Sequence, residues 1–250
     1  MRKIKCTLAY DGSQFSGFQI QPKNRTVQGE IEKALKKIHK GMDVRVHASG
    51  RTDSGVHAVG QTIHFETALR FAEPNWKRAL NTVFPDDVYV KDVLFVPASF
   101  HARYDVVEKE YRYYLWNEKE PDIFKRNYRY NFPYQLDVEA MQEACRHLMG
   151  THDFTTFSSA KASARGSRVR NLYEATCERH GSEIEFIFRG SGFLYNMVRI
   201  IVGVLLDIGQ GRRSEADIPD LIAQKDRRLA STTVPPEGLY LWEVKYDVET

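Results

Sequence analysis

The chain has 250 residues, with 36 Lys+Arg against 33 Asp+Glu, a formal net charge of +3, 42% hydrophobic and 28% charged residues. These are ordinary globular values, and they exclude a disordered tail, a collagen-like fibre and a polyelectrolyte. The charge is uneven: residues 1–104 hold 16 Lys+Arg and 10 Asp+Glu, a net of +6, and residues 105–250 a net of −3, so the first half favours a polyanionic partner.

Along the chain, Ile4, Cys6, Leu8 and Tyr10 alternate with Lys3, Lys5, Thr7 and Ala9, the period of a strand with one buried face. Thr26 then caps a helix with the apolar stripe Val27, Ile31, Ala34, Leu35 and Ile38, closed by Gly41. Val44–Ser49 and Val59–Glu66 read as strands separated by the loop GRTDSGV. Pro74 opens a short helix that Pro85 stops, and Val88–Val96 is another strand. The order is β-α-β-β-α-β, a ferredoxin-like half. In the second half Asp105–Trp116 reads as a strand and Asp137–Met149 as a helix ended by Gly150. Val169–Arg179 and Glu183–Arg189 read as paired strands, Gly192–Gly209 as a long buried helix, Glu215–Gln224 as a helix and Leu239–Tyr246 as a strand. Residues 158–168, SSAKASARGSR, have three basic residues and no acid, the composition of a mobile basic loop. The expectation is an α+β molecule of two ferredoxin-like halves, 1–104 and 105–250, with a ligand cleft between them.

Several classes are set aside. Cys6, Cys145 and Cys177 are too few for a disulfide framework and lack C-x-x-C spacing. The longest apolar stretch, Met197 to Leu206, contains Arg199 and ends at Asp207, short of the ~20 residues a bilayer needs. The start, MRKIKCTLAYDG, offers no signal-peptide core. A reduced, soluble, cytoplasmic protein is expected. No G-x-S-x-G elbow, P-loop or G-x-G-x-x-G fingerprint occurs. His47, His57 and His64 lie near Asp53 without the helical spacing of a zinc site, so no metal is expected.

Three segments stand out. In Ser49-Gly50-Arg51-Thr52-Asp53-Ser54-Gly55-Val56-His57-Ala58, two glycines bracket a carboxylate and a guanidinium on a tight loop. In Ser99–Tyr104 and Lys109–Tyr114, cations interleave with rings; on a strand Tyr111 and Tyr113 face one way, and rings over a groove stack on unpaired bases. In Gly192–Gly203, Arg199 sits among apolar residues, where a cation needs a carboxylate partner, for which a loop aspartate is a candidate.

The segments GRTDSGVHA, SFHARY, KEYRYY, GFLYNMVRIIVG and PPEGLYL resemble, in order and spacing, the motif set of the TruA-type tRNA pseudouridine synthases. The similarity runs from Leu8-Ala9-Tyr10-Asp11-Gly12 to Tyr246. The resemblance implies isomerisation of uridine to pseudouridine at positions 38–40 of the tRNA anticodon stem-loop. It also implies an extended antiparallel sheet with helices on one side, a homodimer, and no cofactor or metal. By position, Asp53 matches the catalytic aspartate and Arg51 the arginine that meets the RNA near the target. Tyr111 matches the tyrosine that stacks on the target base, Arg199 the basic residue that pairs with the catalytic carboxylate, and Leu239 an apolar residue of the base pocket. Ser54 replaces a residue that is alanine in many members. Two rivals remain: a non-catalytic RRM-like RNA-binding module, although its K/R-G-F/Y-G/A-F-V-x-F/Y segment is missing, and a hydrolase that uses Asp53 to release free uracil.

Overall fold

The computed structural model describes residues 1–159 and 166–247, and the basic stretch expected to be mobile falls largely on 160–165, outside the described residues. The fold is α+β. It divides into two compact units, one formed by Met1–Val107 together with the C-terminal segment from Tyr240, the other by Glu108–Leu239.

The first unit opens with β1 (Arg2–Tyr10), whose even-numbered side chains Ile4, Cys6, Leu8 and Tyr10 are buried as the alternation requires. The helix α1 (Val27–Ile38) starts where Thr26 accepts a hydrogen bond from the Gly29 amide, and it buries Val27, Ile31, Ala34 and Leu35. The strands β2 (His47–Ala48) and β3 (His57–Thr67) flank the glycine-bracketed loop. Then come α2 (Glu73–Val83), with a proline in its first turn, and β4 (Val88–Val96). The strands run in the order β4-β1-β3, antiparallel, with β2 antiparallel on β3. This is the ferredoxin-like arrangement that the β-α-β-β-α-β order implies. The last strand, β10 (Leu239–Tyr246), pairs parallel with β3 at His57 and Ala58.

The second unit is built on β5 (Val106–Trp116), to which the two-residue β6 (Tyr130–Asn131) is added in parallel. It continues with α3 (Val138–Arg146), capped by Asp137, then β7 (Gly150–Asp153), β8 (Val169–His180) and β9 (Glu183–Gly190). The helices α4 (Met197–Gly209) and α5 (Asp217–Gln224) complete it. Its sheet runs β5-β9-β8-β7, all antiparallel. The helix α3 packs on β8 and on α4. On β5 the buried face carries Tyr111, Tyr113 and Leu115, and the buried Glu110 is held by Arg112 and Arg189, whose Nε atoms donate at 2.6 and 2.8 Å. Two cations around one buried carboxylate meet the pairing requirement for such a group. Among the described residues no helix is long and apolar enough to cross a membrane.

The long helix expected from Gly192 begins only at Met197. Asn196 adopts a left-handed conformation (φ 60°), which turns residues 192–196 into an irregular lead-in. Arg199 therefore sits in the first helical turn rather than mid-helix. The helix dipole disfavours a cation there.

On the β2–β3 pair, His47 stacks on His64 at 4.9 Å, and the ring of His101 meets His64 edge-on at 4.8 Å. The Ala102 amide donates to His64 Nδ1 at 3.1 Å, and His64 is 4% exposed. Burial first, and then the neighbouring His101 and His47, push the His64 pKa down to about 4. Below pH ~6.5 the unfolded chain takes up a proton that the folded chain refuses until about pH 4, so stability falls across that window. The expected loss by pH 5 is on the order of 1 kcal/mol relative to pH 7. Urea midpoints at the two pH values measure it, and His64→Gln should shrink the difference; an unchanged difference would remove His64 from this role.

Candidate active site

The loop between β2 and β3 carries Arg51, which is exposed, and Asp53, which is half-buried, with Thr52 buried between them. Its turn is closed by the Val56 amide, which donates to the Asp53 carbonyl at 3.1 Å. Gly55, two residues past Asp53, has φ 78°, a conformation that a side chain would strain.

A second segment, 11–18, runs alongside and is bonded to the loop through the backbone. The Phe18 amide donates to the Thr52 carbonyl at 3.0 Å, and the Gly55 amide to the Phe15 carbonyl at 3.2 Å. Ser54 Oγ also donates to the Phe15 carbonyl, at 3.3 Å. The Gly12 amide donates to Nδ1 of His57, which is buried and stacks on Tyr240 at 4.7 Å. The loop is thereby fixed before any ligand arrives, the condition for holding a reactive oxygen in place.

The remaining expected site residues, Tyr111, Arg199 and Leu239, lie in the second unit. Tyr111 projects from the buried face of β5, its ring edge-on to Phe193 with centroids 4.9 Å apart. Arg199 is half-buried; its Nε donates to the Val234 carbonyl at 2.7 Å and its Nη1 to Asn196 Oδ1 at 3.0 Å, while its own carbonyl accepts from the Val234 amide at 3.3 Å. These bonds offset the unfavourable end of the helix. The Tyr113 hydroxyl donates to the Pro235 carbonyl at 2.8 Å, and Leu239, 5% exposed, follows as the first residue of β10. Thus β5, the start of α4 and residues 234–239 meet within one unit. Arg112, on the opposite face of β5 from Tyr111, is committed to Glu110 and Glu185.

The bracing of the Asp53 loop by residues 11–18 was not readable from the sequence. The signal present is Tyr10-Asp11-Gly12, where the similarity starts. Asn196, which accepts from Arg199 Nη1, likewise gives no warning beyond the tolerance of asparagine for left-handed backbone. Among the described residues no cluster of three His, Cys, Asp or Glu has the arrangement of a metal site.

A braced loop that presents one carboxylate is the equipment of an enzyme that does acid–base or nucleophilic chemistry. Residues 7–105 and 144–247 match the tRNA pseudouridine synthase family. The chain is 58% identical over 247 residues to tRNA pseudouridine synthase A of Oceanobacillus iheyensis, covering 99% of this chain and 98% of that one. It is 58% identical over 248 residues to the protein of the same name in Geobacillus kaustophilus (99% and 96% covered), and 53% identical over 247 residues to tRNA pseudouridine synthase A 1 of Bacillus cereus (99% and 100%). A chain of a crystallised Cbf5–Nop10–Gar1 complex aligns over 81% of this chain and 54% of its own, at 13% identity and a TM-score of 0.34, too slight a likeness to carry an argument. The chain belongs to the tRNA pseudouridine synthases, isomerases that convert uridine to pseudouridine in tRNA.

Proposed function

We propose that this enzyme isomerises uridines 38–40 of the tRNA anticodon stem-loop, with Asp53 as the catalytic carboxylate. The observation that carries this reading is the loop itself: in a chain of this family, the motif aspartate sits half-buried on a turn braced through the backbone. The reaction breaks the C1′–N1 bond and makes C1′–C5, so substrate and product are isomers and no electrons enter or leave. One ionised carboxylate supplies the nucleophilic or basic oxygen, while the loosened uracil turns over in place. The target must leave the helical stack to be reached, which requires a stacking ring and apolar walls. By the resemblance Tyr111 and Leu239 fill these roles, Arg51 meets the RNA beside the target, and Arg199 is the cation matched to the catalytic carboxylate. The basic first half attracts the phosphates. By the same resemblance the enzyme works as a homodimer in the cytoplasm.

The test is to incubate the protein with unmodified tRNA transcripts and map pseudouridine by position. Pseudouridine at 38–40 is expected. Bound but unchanged tRNA would favour an RNA-binding module, free uracil a hydrolase, and pseudouridine elsewhere a different target site.

Tyr111→Phe should keep tRNA affinity close to the parent, because the ring and its packing on Phe193 remain, while turnover falls with loss of the hydroxyl. Tyr111→Ala should lose both affinity and turnover and cost about 3 kcal/mol of stability through the cavity it leaves. Affinity, single-turnover rate and urea midpoint separate these effects. Two variants that both turn over at the parent rate would place Tyr111 outside the site.

A further inference from the structure

The limb of the loop that leads into Asp53 rests on a buried polar network. Gln61, on β3, is fully buried and lies opposite Leu8 of β1, in a part of the strand where Ile63 and Phe65 are core residues. A primary amide is expensive to bury unless both its ends find partners. Here they do: Gln61 Oε1 accepts from Ser49 Oγ at 2.7 Å, and Nε2 donates to the Gly50 carbonyl at 3.0 Å and to the Tyr10 hydroxyl at 3.4 Å. The Tyr10 hydroxyl lies 2.7 Å from Thr52 Oγ1 and shares a hydrogen bond with it. Two side chains therefore hold residues 49, 50 and 52, the residues leading into Asp53. Tyr10 is itself buried, and burial pushes its pKa up to about 12, so it stays a neutral hydroxyl at working pH.

We propose that Gln61 and Tyr10 are positioning residues for the isomerisation, acting through Ser49, Gly50 and Thr52 to aim the Asp53 carboxylate. This rests on the assignment of Asp53 to the chemistry. The bonds from residues 11–18 reach the loop through Thr52, Ser54 and Gly55 and do not involve Gln61 or the Tyr10 hydroxyl. Removing the Gln61–Tyr10 network therefore leaves the loop attached, with the Ser49 amide still donating to the Thr62 carbonyl at 2.8 Å, and loosens only its leading limb. The chemical step should suffer more than folding or RNA binding, because small displacements of a reacting oxygen cost rate steeply.

Tyr10→Phe removes one hydroxyl and leaves Thr52 and Gln61 short of a partner. The expected result is a single-turnover rate lowered by about 10- to 100-fold, with tRNA affinity within about twofold of the parent. Gln61→Glu supplies a signature that a merely structural residue would not give. When ionised, its oxygen repels the Gly50 carbonyl; when protonated, it donates to it again. Its rate relative to the parent should climb as pH is lowered from 9 to 6, whereas Gln61→Met should be slow by a pH-independent factor. If the Gln61 variants do not fold, Tyr10→Phe, Thr52→Val and their double variant decide, and the double should be no slower than the slower single. Parent-like turnover by Tyr10→Phe, or a loss confined to tRNA affinity, overturns the proposal. Asp53→Asn, run alongside, keeps the two readings apart. If it turns over like the parent, the Asp53 assignment fails; if it is inactive beside a parent-like Tyr10→Phe, only the positioning role fails.

Discussion

Asp53→Asn is expected to bind tRNA almost as tightly as the parent and to make no detectable pseudouridine. The amide keeps the size and shape of the carboxylate while removing its charge and its nucleophilic oxygen. The turn survives the exchange, because it is closed by the Asp53 carbonyl and the Val56 amide, which the substitution leaves alone. The backbone bonds from Phe18 and Gly55 are equally untouched. Ground-state affinity should therefore change by at most about 1 kcal/mol. The barrier should rise by about 5 kcal/mol or more, over a thousandfold in rate. Single-turnover measurements on one transcript, with deamidation back to aspartate excluded, give the answer. Residual turnover within tenfold of the parent would remove Asp53 from the chemistry.

Legibility in the sequence followed the range of the interactions. The bounds of β4 and β10 match the expected Val88–Val96 and Leu239–Tyr246, because alternation and flanking turn residues are local signals. The start of α1 was equally plain, since its cap, Thr26, is a neighbour in the chain. The helix α4 starts five residues later than its sequence pattern suggests. Phe193, Leu194, Met197 and Val198 carry a helix-like apolar pattern, and one left-handed asparagine overrides it. The strand expected over Val44–Ser49 shrinks to two residues, and β6 and β7 are too short to display a period. At the site, the two glycines and the lone carboxylate marked the loop. What holds the loop was hidden: Tyr10 meets Thr52 across 42 positions and Gln61 meets Tyr10 across 51. A single sequence announces turns, but it does not announce which distant side chains keep a turn still.

That stillness has a steric side, and Gly12→Ala probes it. A Cβ on Gly12 would lie 2.1 Å from the Val56 carbonyl oxygen and 2.4 Å from its carbon. The obstacle is backbone, so no side-chain rotation relieves it, and segment 11–18 must part from the Asp53 loop. The same movement strains the bond from the Gly12 amide to buried His57. Overpacking of this kind costs about 1–3 kcal/mol and more where the backbone cannot yield. The expected variant is destabilised by about 3 kcal/mol, and its turnover falls by at least tenfold even at temperatures where it remains folded, because the displaced segment is the brace of the loop. Gly181→Ala is the control. Its glycine has φ 62°, yet nothing lies within 4 Å of the added carbon, so it should cost only about 1 kcal/mol of backbone strain and leave turnover at the parent rate. Urea midpoints and single-turnover rates of the two variants, measured on the same tRNA, separate the effects. A Gly12→Ala enzyme that is stable and fully active would show that the loop does not depend on the close approach of these two backbones.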